Sequence, residues 1–130
     1  MSINNSHSWV LDTVCGSHIC TNVQGLTDSR KVEPREVDLR VGNGARVDAE
    51  RVGTYRLNLP SGYCLVLNDC YYVPSLTRNI ISIPVLDMED FSSYIYNGSQ
   101  VLSFDNVIYG TAPLVDGLYT LNCSREIFNV

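Results

Sequence analysis

The chain has 130 residues, of which 45% are hydrophobic and 18% are charged, and its formal net charge is −5. This composition is typical of one folded domain and not of a disordered chain. The acidic balance argues against a phosphate-binding surface, which needs clustered lysine and arginine. We therefore expect no nucleic-acid partner.

The N-terminus and the cysteines indicate in which cellular compartment the protein folds. No apolar run approaches the roughly 20 residues that a membrane-spanning helix needs, and the polar stretch 1–8 lacks the apolar core of a signal peptide. We expect an intracellular, cytoplasmic protein without a membrane partner. The five cysteines are an odd number, which favours reduced thiols over a disulfide framework.

Near the N-terminus, an apolar run ends in a carboxylate: Trp9-Val10-Leu11-Asp12-Thr13. A carboxylate at the end of a buried strand is costly unless it is hydrogen-bonded or functional. Aspartic proteases use this setting, in which two facing carboxylates share one proton and one of them acts as a base on a water. The alternative is a turn residue that begins a loop, as aspartate commonly does. From these residues alone, the turn is the more frequent outcome.

A carboxylate pair would need two copies of the chain. Asp28 is followed by Ser29 but lacks a preceding apolar strand, so it is a poor second candidate. The pair would then come from a symmetric homodimer whose axis passes through the site.

Three possible metal ligands follow the aspartate, because Cys15, His18 and Cys20 lie within six residues. Zinc prefers cysteine and histidine, but this spacing fits no common zinc finger or ribbon. We expect no metal and no cofactor. In this interpretation Cys15 and Cys20 are small core residues and His18 is a partly exposed loop residue.

The following residues alternate between apolar and polar with the period of β-strands. Val37–Val41 and Ala45–Val47 flank Gly42-Asn43-Gly44, which predicts a hairpin with the glycines at its tip. Short apolar segments separated by turn signals continue to Leu121. The predicted fold is all-β, a closed or partly open β-barrel with one short helix.

The single helical prediction covers Ser75–Ser82. Leu76, Ile80 and Ile83 lie at helical spacing, and Pro84 would end the helix. Beyond it, the stretch from Tyr94 to Leu121 is expected to add two or three strands.

Four segments together resemble one family, the retropepsin-like aspartic protease of copia-type retrotransposon Pol polyproteins. That family typically reads W-x-L-D-[ST]-G-[AC] with a histidine a few residues later, and it continues with a flap and an L-x-L-x-N-V-L-Y-V-P-x-L-x-x-N-L-[IL]-S-V block. The similar segments here are 9–20, 41–44 with 52–54, 65–83, and 116–121, the last resembling the start of a pre-integrase segment.

The resemblance implies a single retropepsin-like β-barrel domain over residues 1–130, with a protease-like core at 8–86 and additional strands at 87–121. It implies a homodimer that cleaves a polypeptide substrate, the element's own polyprotein. Asp12 would be the catalytic acid and base, and Thr13 would support the dimer interface. Gly42, Asn43 and Gly44 would form the substrate-covering flap, whose glycines allow a lid to move.

The chain departs from the family at Val14, where the family has glycine. The backbone N–H at this position should approach the aspartate, and the substrate passes close by. A β-branched side chain is stiff there and would crowd the cleft. The sequence therefore predicts a peptidase impaired by Val14. The alternative is a non-catalytic β-barrel that was co-opted for binding or self-association.

Overall fold

A computed structural model describes residues 8–123, which form twelve strands and one short α-helix. A 3₁₀ turn at Val23–Gly25 precedes the third strand. The elements in chain order are β1 Ser8–Asp12, β2 Ile19–Cys20, β3 Leu26–Lys31, β4 Leu39–Arg40, β5 Arg46–Val47, β6 Arg51–Asn58, β7 Cys64–Tyr72, β8 Asn79–Ser82, α1 Ile83–Met88, β9 Ser92–Tyr96, β10 Ser99–Phe104, β11 Val107–Val115 and β12 Leu118–Asn122.

Ten strands form one sheet in the order β3-β6-β7-β2-β8-β1-β12-β11-β10-β9, and β4 and β5 form a separate hairpin. Most neighbours are antiparallel, but β1 runs parallel to β8 and β2 runs parallel to β7. The predicted all-β class with one short helix is confirmed. Across residues 8–123 the two end strands do not pair with each other, so the sheet is open and the barrel remains a prediction.

The hairpin predicted around the glycines is confirmed. β4 pairs with β5 in antiparallel register, with Leu39 opposite Val47. At the tip, the backbone N–H of Gly44 donates to the carbonyl of Val41 at 2.7 Å. Gly44 has a φ of 82°, a value that glycine adopts without the steric cost of a Cβ.

The helix predicted at Ser75–Ser82 is wrong. Asn79–Ser82 is the buried strand β8, and the helix starts one residue later. Pro84 lies in the first turn of this helix, where its missing N–H costs nothing. The Ser82 hydroxyl accepts from the backbone N–H of Val85 at 3.2 Å and caps the helix. A short apolar run has the same periodicity in a buried strand and in a helix, so spacing could not separate them.

The C-terminal part contributes four strands, one or two more than predicted. Its last strand, β12, pairs with β1 and places Leu121 opposite Trp9. Leu102, Ala112 and Leu121 belong to the same buried cluster as Trp9. Trp9 is fully buried and meets Tyr55 edge-on, with 4.8 Å between ring centroids. The C-terminal strands therefore complete the core that supports β1.

Leu121→Ala should lower the free energy of unfolding by about 2–5 kcal/mol, because a buried leucine loses its contacts and leaves a cavity. Leu121 is 1% exposed. The matched control is Leu114→Ala on β11, where the side chain is 54% exposed and the expected loss is under about 1 kcal/mol. Urea unfolding of both variants measures the difference, and equal losses would contradict the packing of β12 into this core.

Candidate functional site

Asp12 stands at the end of β1, where two parallel strands finish together. The register places Asp12 beside Ser82, the last residue of β8. β8 lies between β1 and β2, so the loop that joins these two strands must cross the end of β8. Asp12 is half-buried at this crossing.

The carboxylate of Asp12 fixes the first part of the loop. Its Oδ1 accepts from the backbone N–H of Val14 at 2.7 Å and from that of Cys15 at 2.9 Å. Hydrogen bonds to a charged acceptor are stronger than neutral ones. Oδ2 takes part in neither bond. The carboxyl group therefore has one oxygen that is held in place and one that can act as an acid or a base.

Ser82 holds the same loop from the sheet side. Its hydroxyl donates to the carbonyl of Cys15 at 2.7 Å, and its backbone N–H donates to Nδ1 of His18 at 3.0 Å. Ser82 and His18 are both fully buried. Because buried polar groups need partners, these bonds bind both halves of the loop to the end of β8.

His18 differs from its sequence prediction, since it is buried rather than partly exposed. Its carbonyl accepts from the N–H of Tyr71 at 2.9 Å, which draws the residue into the sheet beside β7. Burial lowers the pKa of His18 from 6.5 to about 4. Nδ1 accepts a hydrogen bond, so the neutral ring carries its proton on Nε2. Nε2 is buried without a hydrogen-bond partner among residues 8–123.

Cys15 and Cys20 are buried, as predicted for small core residues. They lie in two different clusters, Cys15 with Ile19 and Val73, and Cys20 with Trp9. The Cys15 thiol donates to the carbonyl of Ser17 at 3.3 Å, and burial raises its pKa. The described part of the chain contains no group of three histidine, cysteine, aspartate or glutamate side chains that could hold a metal.

The structure brings Asp12 and the β4–β5 hairpin together. Asp12 and Gly42 line one cavity of about 260 Å³. Gly44 lines a neighbouring cavity of about 360 Å³, together with Gly42 and Val14. Asn43 is exposed at the tip, and its Oδ1 accepts from the N–H of Ala45 at 2.9 Å.

Thr13 faces the opposite side of the loop. It is exposed and lines a cavity of about 310 Å³ with residues of α1 and of β9, among them Ser92 and Ser93. The three neighbouring residues Asp12, Thr13 and Val14 thus border three separate cavities.

The family pattern requires two things at position 14: a backbone N–H close to Asp12 and free space for the substrate. Val14 meets the first requirement. Its N–H reaches Asp12 Oδ1 as a glycine N–H would. Its side chain is 74% exposed and does not crowd the loop of its own chain. The Val14 side chain can therefore obstruct only a molecule that occupies the space above the loop.

Arg78 belongs to the Asp12 site and was missed in the sequence. It lines the cavity that contains Asp12 and Gly42, together with Thr77 from the same segment. Arg78 lies inside the segment that the sequence predicted as a helix. A charged residue in a helix usually indicates only a face exposed to solvent. Correct recognition of β8 would have placed Arg78 at the strand entrance, beside the hairpin.

No helix within residues 8–123 is long and apolar enough to cross a membrane.

The family model for the Pol polyprotein β-barrel domain matches residues 9–91. This match covers more than half of the chain and includes β1, the Asp12 loop, the hairpin and β8. The chain belongs to the Pol polyprotein β-barrel domain family.

A curated relative extends the similarity beyond the family match. It is the retrovirus-related Pol polyprotein from transposon TNT 1-94 of Nicotiana tabacum, which is 30% identical over 122 residues. The alignment covers 92% of this chain, whereas the chain spans 9% of the relative's length. No solved structure matches the chain significantly.

The stability of the domain should fall as the pH drops from 6.5 to about 4. Above pH 6.5 His18 is neutral in both the folded and the unfolded chain, so its contribution is fully present there. Below 6.5 the unfolded chain binds a proton that the buried ring accepts only near pH 4. The linked loss in the free energy of unfolding is about 3 kcal/mol across this window.

His18→Asn is the matched variant, because an asparagine Oδ1 can accept from the Ser82 N–H without titrating. Urea unfolding at intervals of half a pH unit should show a smaller slope between pH 6.5 and 4 for this variant. The Arg30 side chain lowers the pKa of exposed Glu36 to about 2 by hydrogen bonding. The Arg30–Glu36 pair therefore changes the free energy of unfolding only below pH 4.5. The same slope in both proteins would show that His18 is not the group responsible.

Proposed function

We propose that this chain is the aspartic-peptidase-like domain of a copia-type retrotransposon Pol polyprotein, acting on peptide bonds of that polyprotein as a homodimer. Membership of the Pol polyprotein β-barrel family supports the origin, as does the similarity to a transposon Pol polyprotein. The peptidase assignment is supported by the family-like segment around Asp12 and by the geometry of that residue.

The observation that carries the proposal is the anchored carboxylate at the end of β1. Asp12 Oδ1 is held by two backbone N–H groups, which orients the carboxyl group before any substrate arrives. Such preorganisation is what catalytic groups need. In the proposed dimer, Asp12 of each copy contributes one carboxylate, and the two share a proton because both cannot ionise cheaply at close range.

The reaction then needs only the two carboxyl groups and a water. The ionised carboxylate takes a proton from the water, whose oxygen bonds to the peptide carbon. The protonated carboxyl group gives its proton to the carbonyl oxygen. Collapse of this intermediate breaks the C–N bond: the protonated carboxyl group gives its proton to the amine nitrogen, and a hydroxyl of the intermediate gives its proton to the ionised carboxylate as the new carbonyl forms. The two carboxyls again hold one proton between them.

Thr13 and the hairpin have supporting roles in this proposal. Thr13 lies on the exposed side of the loop and would contact the second copy. Gly42, Asn43 and Gly44 would cover the substrate, since the hairpin tip borders the same cavities as Asp12 and Val14. Arg78 would add a positive charge to the rim of the cleft.

Val14 is proposed to impair the enzyme without disturbing the fold. Its N–H keeps the bond to Asp12, and its side chain projects into the space between the loop and the hairpin. A substrate backbone or a paired loop would have to occupy that space. Forcing an extra side chain into a tight site costs roughly 1–3 kcal/mol.

A second candidate function is non-catalytic binding. The observation in its favour is Val14 itself, a large apolar side chain that is 74% exposed on the rim of a cleft. Such a residue suits a contact with a polypeptide better than it suits a hydrolytic loop. In this alternative, the cleft would hold an extended segment without cleaving it.

The deciding experiment measures peptide-bond cleavage of an unfolded protein mixture by the natural chain and by Val14→Gly. The range should be pH 5–7, because the buried His18 lowers stability in more acidic solution. We expect kcat/KM for Val14→Gly to exceed that of the natural chain by roughly tenfold to a hundredfold. Pepstatin should inhibit the activity.

The controls are Asp12→Asn in both backgrounds, with folding checked by circular dichroism. Asp12→Asn should abolish cleavage in each. Full activity of the natural chain would refute the impairment by Val14. Silence of all four proteins, with folding intact, would refute the peptidase assignment and favour the binding domain.

A further inference from the structure

The two edges of the ten-stranded sheet differ in their protection. β3 has an irregular register between Thr27 and Arg30, and it carries three charged side chains, Asp28, Arg30 and Lys31. Bulges and charges are the usual means by which proteins keep an edge strand from pairing with another chain. β9, at the other edge, has neither.

β9 is regular, uncharged and open to solvent. All five of its residues, Ser92–Tyr96, are exposed, and they pair with β10 without a register shift. Tyr94, Ile95 and Tyr96 are 45%, 56% and 65% exposed. Tyr94 and Tyr96 also line a cavity of about 490 Å³ together with Ile108 of β11. The edge therefore adjoins an apolar surface.

The turn after β9 fixes which backbone groups face outward. Asn97 and Gly98 have φ values of 50° and 76°, as a type I′ turn requires. The residues that flank such a turn, Tyr96 and Ser99, exchange hydrogen bonds. In an antiparallel ladder the bonded pairs alternate. The N–H and C=O groups of Tyr94 therefore face β10, whereas those of Ser93 and Ile95 face the open edge.

We propose that β9 pairs with β9 of a second copy of this chain, antiparallel about a two-fold axis at Tyr94. Ser93 of each copy would pair with Ile95 of the partner subunit and form four backbone hydrogen bonds. The two Tyr94 side chains would lie side by side, as residues in a non-bonded antiparallel pair do. The two sheets would become one.

The proposed pairing is self-complementary, which identifies a second copy as the occupant. The chain carries a net charge of −5, so two copies repel each other overall, but β9 has no charge. In the proposed register Asp90 falls opposite Gly98 of the partner subunit, and Phe91 falls opposite Asn97. Residues 90–98 therefore place no two like charges opposite each other.

The available area indicates a weak, concentration-dependent dimer. Three large side chains on β9, Tyr94, Ile95 and Tyr96, are each about half exposed. At roughly 200 Å² for a large side chain, their burial removes at most roughly 300 Å² per subunit, less than half of a standard interface. We expect a dissociation constant between roughly 10 µM and 1 mM.

This pairing uses backbone groups of Ser93 and Ile95 and none of Asp12 or Val14. It is therefore independent of the peptidase proposal, and each can fail without the other. A dimer through the Asp12 loop would survive substitution of Ile95, which does not line the Thr13 cavity, whereas the dimer proposed here would not.

Sedimentation equilibrium of the full chain, from roughly 10 µM to 1 mM, tests the proposal. The mass of the natural chain should rise from 14.5 kDa toward twice that value. Ile95→Pro removes an outward N–H, and Ile95→Lys places a positive charge on each edge at a site where the copies would meet. Both variants should lose the part of this rise that β9 pairing causes, and any association left in them would belong to another surface such as the Asp12 loop.

The matched control is Leu114→Lys on β11, an interior strand of the sheet, where the side chain is as exposed as Ile95. It makes the same chemical change away from the edge and should dimerise like the natural chain. Ile95→Lys changes only an exposed side chain, so it keeps the test valid if Ile95→Pro fails to fold.

Hydrogen exchange gives a second measure of the same register. In the natural chain, the amides of Ser93 and Ile95 should exchange more slowly as concentration rises, while those of β3 should not change. A monomeric natural chain at about 1 mM would overturn the proposal. So would association that is as strong in both Ile95 variants as in the natural chain, or slow exchange at Ser93 that appears only when an unrelated extended peptide is added.

Discussion

The fold depends on the insertion of β8 between two strands that follow each other in the chain. β1 and β2 are separated in the sheet by a strand that forms some 60 residues later. The loop between them must cross the end of β8, where Cys15 and His18 are buried. Ser82 supplies a hydroxyl and an N–H at that point, and buried polar groups need such partners. The geometry of Asp12 is therefore set by a distant residue.

This arrangement makes the fold of the loop independent of the side chain at position 14. The bonds that shape it use the Asp12 carboxylate, backbone groups of Val14 and Cys15, and the Ser82 side chain. The side chain at position 14 takes part in none of them. A valine in place of the proposed motif glycine can therefore change what the cleft admits while the domain still folds, because a β-branched side chain is tolerated wherever it projects into solvent.

The sequence pattern correctly predicted the features that residues close together in the chain determine. The hairpin at Gly42–Gly44 and the loop at Asp12 follow from turn residues and a strand-ending carboxylate, and both are present. β8 was predicted as a helix, and His18 was predicted to be partly exposed, because their burial comes from pairing between segments far apart in sequence. Arg78 was overlooked for the same reason: its neighbourhood exists only after β8 has entered the sheet.

An open sheet has two edges to protect, and a closed barrel has none. In residues 8–123, one edge is protected by the bulge and charges of β3, while β9 keeps outward N–H groups beside exposed tyrosines. The cavity under Thr13 is also lined by Ser93, so the β9 edge and the Asp12 loop adjoin. A chain that pairs with β9 would border the Thr13 cavity, which is separate from the cavity that contains Asp12. The proposed self-association and the proposed chemistry of Asp12 can thus be altered separately by substitution, although the Asp12 loop borders both cavities.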